Sequence, residues 1–198
     1  GGGILLVGLF AEYGISLLAS EIKQYDHLMQ QEVSATTLSD GINLNFKRQV
    51  QEWKNVLLRS HDKAKRDKYW ASFMDYHQRI ERSSDEFLAL DIDDNLKQQM
   101  REFKRTHQQL LGQYQKGLQA YIQAGLYHKA GDAAVTGIDR APTQQLEQLG
   151  AQLHDYILEQ SRKTDAAARQ ATLISSIGIL LAIMVIGLMT AWFMNAKV

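Results

Sequence analysis

The sequence predicts an all-α fold: an antiparallel up-down-up-down four-helix bundle, with two transmembrane helices continuous with its first and fourth helices. Three observations carry that reading. Apolar residues recur at steps of three and four along four segments, as they do on one face of a helix. No alternation of the β type runs longer than four residues. The chain also closes on a stretch, residues 171–194, that contains no charged residue.

The first helix is expected from Ile4 to about Ser60. Leu38, Ile42, Phe46, Gln49, Trp53 and Val56 form a seam that faces a partner. Asp62, in the following turn, is a suitable N-cap for the second helix. That helix carries Tyr69, Phe73, Tyr76, Ile80, Phe87 and Leu88, and it ends near Leu-Asp-Ile-Asp-Asp-Asn, where Asp91, Asp93 or Asp94 can cap the third. The third helix has the longest regular seam: Leu96, Met100, Phe103, His107, Leu110, Tyr114, Leu118 and Tyr121. Gly125, Gly131, Gly137 and Pro142 then break the pattern. The fourth helix, with Leu146, Leu149, Leu153, Tyr156 and Ile157, is expected to run without interruption into the uncharged segment.

At about 1.5 Å per residue, residues 171–194 exceed the ~30 Å of a bilayer's hydrocarbon core. Trp192 suits an interfacial anchor, and Lys197 beyond it favours a cytoplasmic C-terminus. The N-terminal stretch is mostly apolar but short and contains Glu12, which is costly in lipid unless protonated or paired. The expected domains are therefore a first transmembrane helix at 1–20, trimmed at its N-terminus, an extracytoplasmic bundle at 21–170, a second transmembrane helix at 171–194 and the start of a cytoplasmic relay at 195–198. An even number of bundle helices returns the chain to the membrane it left.

Composition removes several classes. Lysine plus arginine number 22 and aspartate plus glutamate number 22, which argues against a nucleic-acid partner. With no cysteine there is no disulfide, thiolate metal site or cysteine nucleophile. No nucleophile–base arrangement or glycine-rich phosphate loop stands out, so no enzyme is expected. No cofactor is expected either. A di-iron bundle site needs Glu-x-x-His pairs, and none is present. His77 and Glu81, at i and i+4, are only a two-ligand start, and His107 reads as a core histidine; no metal site is predicted.

The segment Phe-Lys-Arg-Gln-Val-Gln-Glu-Trp-Lys-Asn-Val-Leu-Leu-Arg, residues 46–59, raises a separate question. Phe46, Val50, Trp53 and Leu57 share one side. Arg48, Gln51, Asn55 and Arg59 fall on a neighbouring polar ridge. Arg48, flanked by amides, could hold a carboxylate through two parallel hydrogen bonds. The competing reading is a solvated face, to which Lys47 and Lys54 belong. At the far turn, Asp139 suits a cap with Arg140 in the first turn of the helix; alternatively, Arg140 and Thr136 complete a site with the end of the first helix. Trp70, offset from its seam, is a candidate cover for a ligand or partner surface.

Residues 46–59 and Gly-Ile-Asp-Arg-Ala-Pro at 137–142, within this membrane–bundle–membrane layout, resemble the sensor half of bacterial methyl-accepting chemotaxis proteins. The resemblance covers nearly the whole chain and implies a periplasmic sensor in the inner membrane. It also implies a homodimer with first helices packed together and a small ligand bound near the dimer interface, at the membrane-distal end. Sensor histidine kinases and membrane diguanylate cyclases share such ectodomains, and a periplasmic binding protein docking on the tip is an alternative partner.

Overall fold

In a computed structural model, which describes residues 2–195, the chain forms five helices: α1 (Gly2–Arg59), α2 (Lys63–Ala89), α3 (Asp94–Gln123), α4 (His128–Ala134) and α5 (Arg140–Asn195). There is no strand among the described residues. The all-helical reading holds. The helix count differs from the expected four, because the glycine-rich break after α3 contains the seven-residue α4. A stretch of His, Lys, Ala, Gly and Asp has too little apolar periodicity to announce a helix, and tertiary packing decides it.

The chain divides into two compact units, Gly1–His154 and Asp155–Val198. In the first, the seams predicted for the long helices form the core. Ile42, Phe46, Trp53 and Val56 of α1 are buried, as are Phe73, Ile80 and Phe87 of α2. So are Leu96, Met100, Phe103, Leu110, Tyr114 and Tyr121 of α3, and Leu146, Leu149 and Leu153 of α5. Each such side chain contributes about 1.5–3 kcal/mol by leaving water. Aromatic rings join the helices edge to face: Phe46 to Phe103 at 6.1 Å and Trp53 to Tyr114 at 5.3 Å. Trp70 lies half-buried in this set, stacked on Phe73 at 4.8 Å and 8°.

The helix starts follow the sequence. Asp62 accepts a hydrogen bond from the Lys65 amide at 2.8 Å, and Asp93 accepts one from the Asn95 amide at 2.8 Å. Pro142 occupies the first turn of α5, where its missing N–H costs little. Contacts between helices are specific. The Asp91 amide donates to Gln31, Tyr121 Oη donates to the Ser60 carbonyl, and Gln145 donates to Thr106.

Around the break, glycine sets how closely the helices approach. A Cβ on Gly131 would stand 2.6 Å from Leu57 Cδ2, 3.0 Å from Tyr121 Cβ and 3.3 Å from the Gly117 carbonyl oxygen. A Cβ on Gly117 would stand 2.8 Å from Val135 Cγ1 and 3.1 Å from the Trp53 ring. The small helix therefore seats on α1 and α3 only because both positions lack a side chain.

The second unit is the remainder of α5. Leu173, Ile177, Leu180, Leu181, Met184, Leu188 and Trp192 are all exposed. Among the described residues one helix, α5, is long and apolar enough to cross a membrane. Of the expected first membrane segment, side chains are described at Glu12, Ser16, Ala19 and Ser20, and Glu12 is exposed. The other side chains of 1–20, and residues 196–198 of the expected relay, lie outside the described residues.

Two substitutions check this packing by thermal unfolding. Gly131→Ala is expected to destabilise by about 1–3 kcal/mol, because Tyr121 Cβ and a backbone oxygen cannot yield as the tip of Leu57 can. Ser84 is fully buried and its Oγ has no hydrogen-bond partner, so Ser84→Ala is expected to leave stability unchanged or raise it.

Candidate functional site

The ridge picked out on α1 lies on the last three to four turns of that helix. Arg48, Gln51 and Arg59 are exposed, and Asn55 is buried. Among the described residues no ion pair engages Arg48. Thr136 and Arg140 are exposed beyond α4; Thr136 Oγ1 donates to the Asp132 carbonyl at 2.9 Å. Gly137 has φ +77°, and the Arg140 side chain passes beside it. Among the described residues no hydrogen bond links Thr136 or Arg140 to Arg48, Gln51, Asn55 or Arg59. Asp139 precedes α5, and its backbone carbonyl accepts from the Thr143 amide at 3.1 Å.

The opposite face of α1 from its core seam is apolar as well. Ile22, Tyr25, Met29 and Val33 follow steps of three and four and are exposed. Leu44 and Leu58 continue the same line after close to three and four whole turns. Arg48 and Gln51 stand next to this line.

A second concentration of polar groups is interior. His107 of α3 is 1 % exposed. Its Nδ1 lies 2.8 Å from Glu81 Oε1 of α2, and its Nε2 lies 2.9 Å from Gln49 Oε1 of α1. The His77 ring stacks on the His107 ring with centroids 4.5 Å apart, and the Phe103 ring stacks on His107 as well, at 5.7 Å and 14°. Glu81 Oε2 accepts from Gln108 at 2.6 Å and lies 3.8 Å from Lys104 Nζ. Burial pushes the His77 imidazole below its ordinary pKa, with His107 adding to the effect and Glu81 opposing it. Glu81 is pulled two ways. Burial raises its carboxyl, but hydrogen bonds from His107 and Gln108 and the nearby imidazoles leave it below the ordinary range. Elsewhere, burial raises the Tyr114 phenol, helped by Asp139, and burial raises Glu32 on α1.

In the sequence, His77 and Glu81 read as an i, i+4 pair and His107 as part of a core seam. What joins them is the α2–α3 hairpin: Glu81 and His107 each stand 13 residues from Asp94, where α3 begins. Counting outward from the turn would have found this group; reading each helix alone could not. Gln49 carried no signal beyond its place in an otherwise apolar seam.

The chain is 34 % identical over 195 residues to the methyl-accepting chemotaxis protein CtpH of Pseudomonas aeruginosa. The match takes in 98 % of this chain and 34 % of that protein, so the chain spans about a third of the length of the curated relative it matches. No family model matches the chain, and no solved structure matches it.

Glu32 supplies a test of the buried electrostatics. Its folded pKa lies above the ordinary 4.5, so the charged form is disfavoured in the folded state. Its contribution is fully present below the unfolded value and is lost as pH rises through the folded one. Glu32→Gln is therefore expected to match the parent in thermal stability below pH 4.5 and to exceed it at neutral pH. Equal melting temperatures at both pH values would contradict this.

Proposed function

This chain is homologous to about a third of a methyl-accepting chemotaxis protein, and on that premise we propose that it is the signal-receiving module of a transmembrane chemoreceptor. The observation that carries the reading is an alignment at 34 % identity that takes in 98 % of the chain. The contacts support an up-down-up-down bundle: Gln31 of α1 meets Asp91 just past the end of α2, and Trp53 with Trp70, Glu81 with His107 and Thr106 with Gln145 each pair neighbouring helices. On this reading residues 1–20 and 171–194 cross the inner membrane and 21–170 lie in the periplasm. Residues 195–198 then lead into a cytoplasmic relay. The module senses and does not catalyse.

The exposed apolar line on α1 supports a homodimer in which the two first helices pack together. Ile22, Tyr25, Met29, Val33, Leu44 and Leu58 would be its seam. Arg48 and Gln51 beside that line place cationic and amide donors near the dimer axis, where a small anionic ligand would meet both chains. Asn55, Arg59, Thr136 and Arg140 complete the proposed ligand set toward the membrane-distal end. Binding favours one arrangement of the helices through its differential affinity, and α5 carries a shift of about 1–2 Å toward the membrane.

The test is a thermal-shift panel of small organic and inorganic anions on the full chain in detergent. At least one is expected to raise the melting temperature, and Arg48→Ala is expected to abolish that rise with the far-UV helical signal intact. A rise that survives Arg48→Ala removes Arg48 from the site. No rise with any anion, together with co-purification of a periplasmic binding protein, would replace the small ligand with a protein partner.

A further inference from the structure

We propose that His77, Glu81 and His107 form a binding site for a first-row divalent metal ion of the zinc class, bridging α2 and α3 in the bundle interior. Two imidazole nitrogens and one carboxylate oxygen, one from each residue, lie within 4.8 Å of one another. Donors held 2.0–2.1 Å from a tetrahedral zinc stand about 3.3 Å apart, so small side-chain rotations close the set. Two imidazoles with one carboxylate are borderline-soft donors of the kind that select zinc and its neighbours over magnesium or calcium. His107, which the hairpin brings beside the His77–Glu81 pair, is the third ligand that the pair by itself lacks.

Two independent features point to a ligand rather than to a self-contained hydrogen-bonded group. The first is His77. It is 8 % exposed, and its Nδ1 is buried with no hydrogen-bond partner. Such an orphaned polar atom in a helical core is uncommon and calls for an occupant. The second is His107, both of whose ring nitrogens face oxygen: Glu81 Oε1 on one side and Gln49 Oε1 on the other. A neutral imidazole has one N–H, so it can donate to only one of them. With Nε2–H given to Gln49, a cation between Nδ1 and Glu81 takes the place of the missing proton. Turning the Gln49 amide over would also satisfy His107, but it leaves His77 Nδ1 alone.

The surroundings have the form of a metal's supporting shell. Gln49 fixes the far nitrogen of a ligating histidine, as outer partners commonly do. Gln108 at 2.6 Å orients the second oxygen of Glu81. Lys104 is the opposing charge, 3.8 Å from that oxygen; it is also paired with Asp85, which offsets it. Phe46 and Phe103 wall the His107 side with apolar rings. Three protein ligands leave a fourth position for water or an incoming donor. The inference is independent of the anion-sensing reading, because it uses none of the residues assigned there.

The experiment is zinc titration of the full chain in detergent after treatment with a chelator. One Zn2+ per chain is expected to bind, with a rise in melting temperature. His77→Ala and Glu81→Gln are each expected to weaken binding more than about 100-fold, and Gln49→Leu about 10–100-fold. Exchange of the exposed His128 for alanine is expected to change nothing. Zinc X-ray absorption on the unmodified protein reads the site without relying on a variant's folding, and two imidazole ligands are expected. No stoichiometric uptake, uptake indifferent to both His77→Ala and Glu81→Gln, or a spectrum with fewer than two imidazoles would overturn the proposal.

Discussion

His107 holds three helices in one register. Its ring touches Glu81 on α2 through one nitrogen and Gln49 on α1 through the other, while it is itself carried by α3. Apolar seams alone tolerate slippage, because a Leu or Phe finds a similar neighbour a turn away. A polar interior contact does not. Sliding α3 by one residue turns its side chains by about 100° and leaves a carboxylate, an amide and an imidazole without partners. Each unpaired buried group costs on the order of 1–3 kcal/mol, and a charged one more. The flanking aromatic contacts, Phe46 with Phe103 and Trp53 with Tyr114, are consequences of the register chosen there.

At the other end of the hairpin, control passes from hydrogen bonds to volume. Gly117 and Gly131 remove side chains where α3 and α4 meet α1, and Leu57, Trp53, Val135 and Tyr121 fill the space up to the bare backbone. The turn before α4 bends through the left-handed region at Gly125 and Leu126, both with φ 67°. Leucine adopts that conformation at some cost, and the close packing that follows holds it there. The end of the bundle that carries Arg59, Thr136 and Arg140 is thus tied to the core through Leu57 and Tyr121.

The apolar tail of α5 links this packing to a biological setting. Leucine, isoleucine and methionine side chains are exposed all around it, the opposite of what the first unit does with the same residue types. A helix apolar on every side is consistent with a place in a membrane. One helix, α5, runs from the packed core into this apolar segment, and the similarity to a chemotaxis receptor takes in both. The exposed line on α1 is a further apolar surface that the chain's own core does not cover.

Some of this was legible in the sequence because it is local. Seams at steps of three and four, Asp62 and Asp93 at helix starts, Pro142 in a first turn and an uncharged 171–194 each depend on residues within a few turns of one another. They named the helix class, the long helices and the membrane candidate. The ridge of Arg48, Gln51, Asn55 and Arg59 was legible as a ridge, while the burial of Asn55 was not, since it depends on what packs over α1. The short α4 was invisible, because its stability comes from fitting against Gly117 and Leu57 rather than from its own pattern. The joining of His77, Glu81, His107 and Gln49 was decided by tertiary structure alone. These residues come from three helices up to 58 positions apart, and only the folding-back of the chain sets two imidazoles, a carboxylate and an amide within hydrogen-bonding or ligating reach.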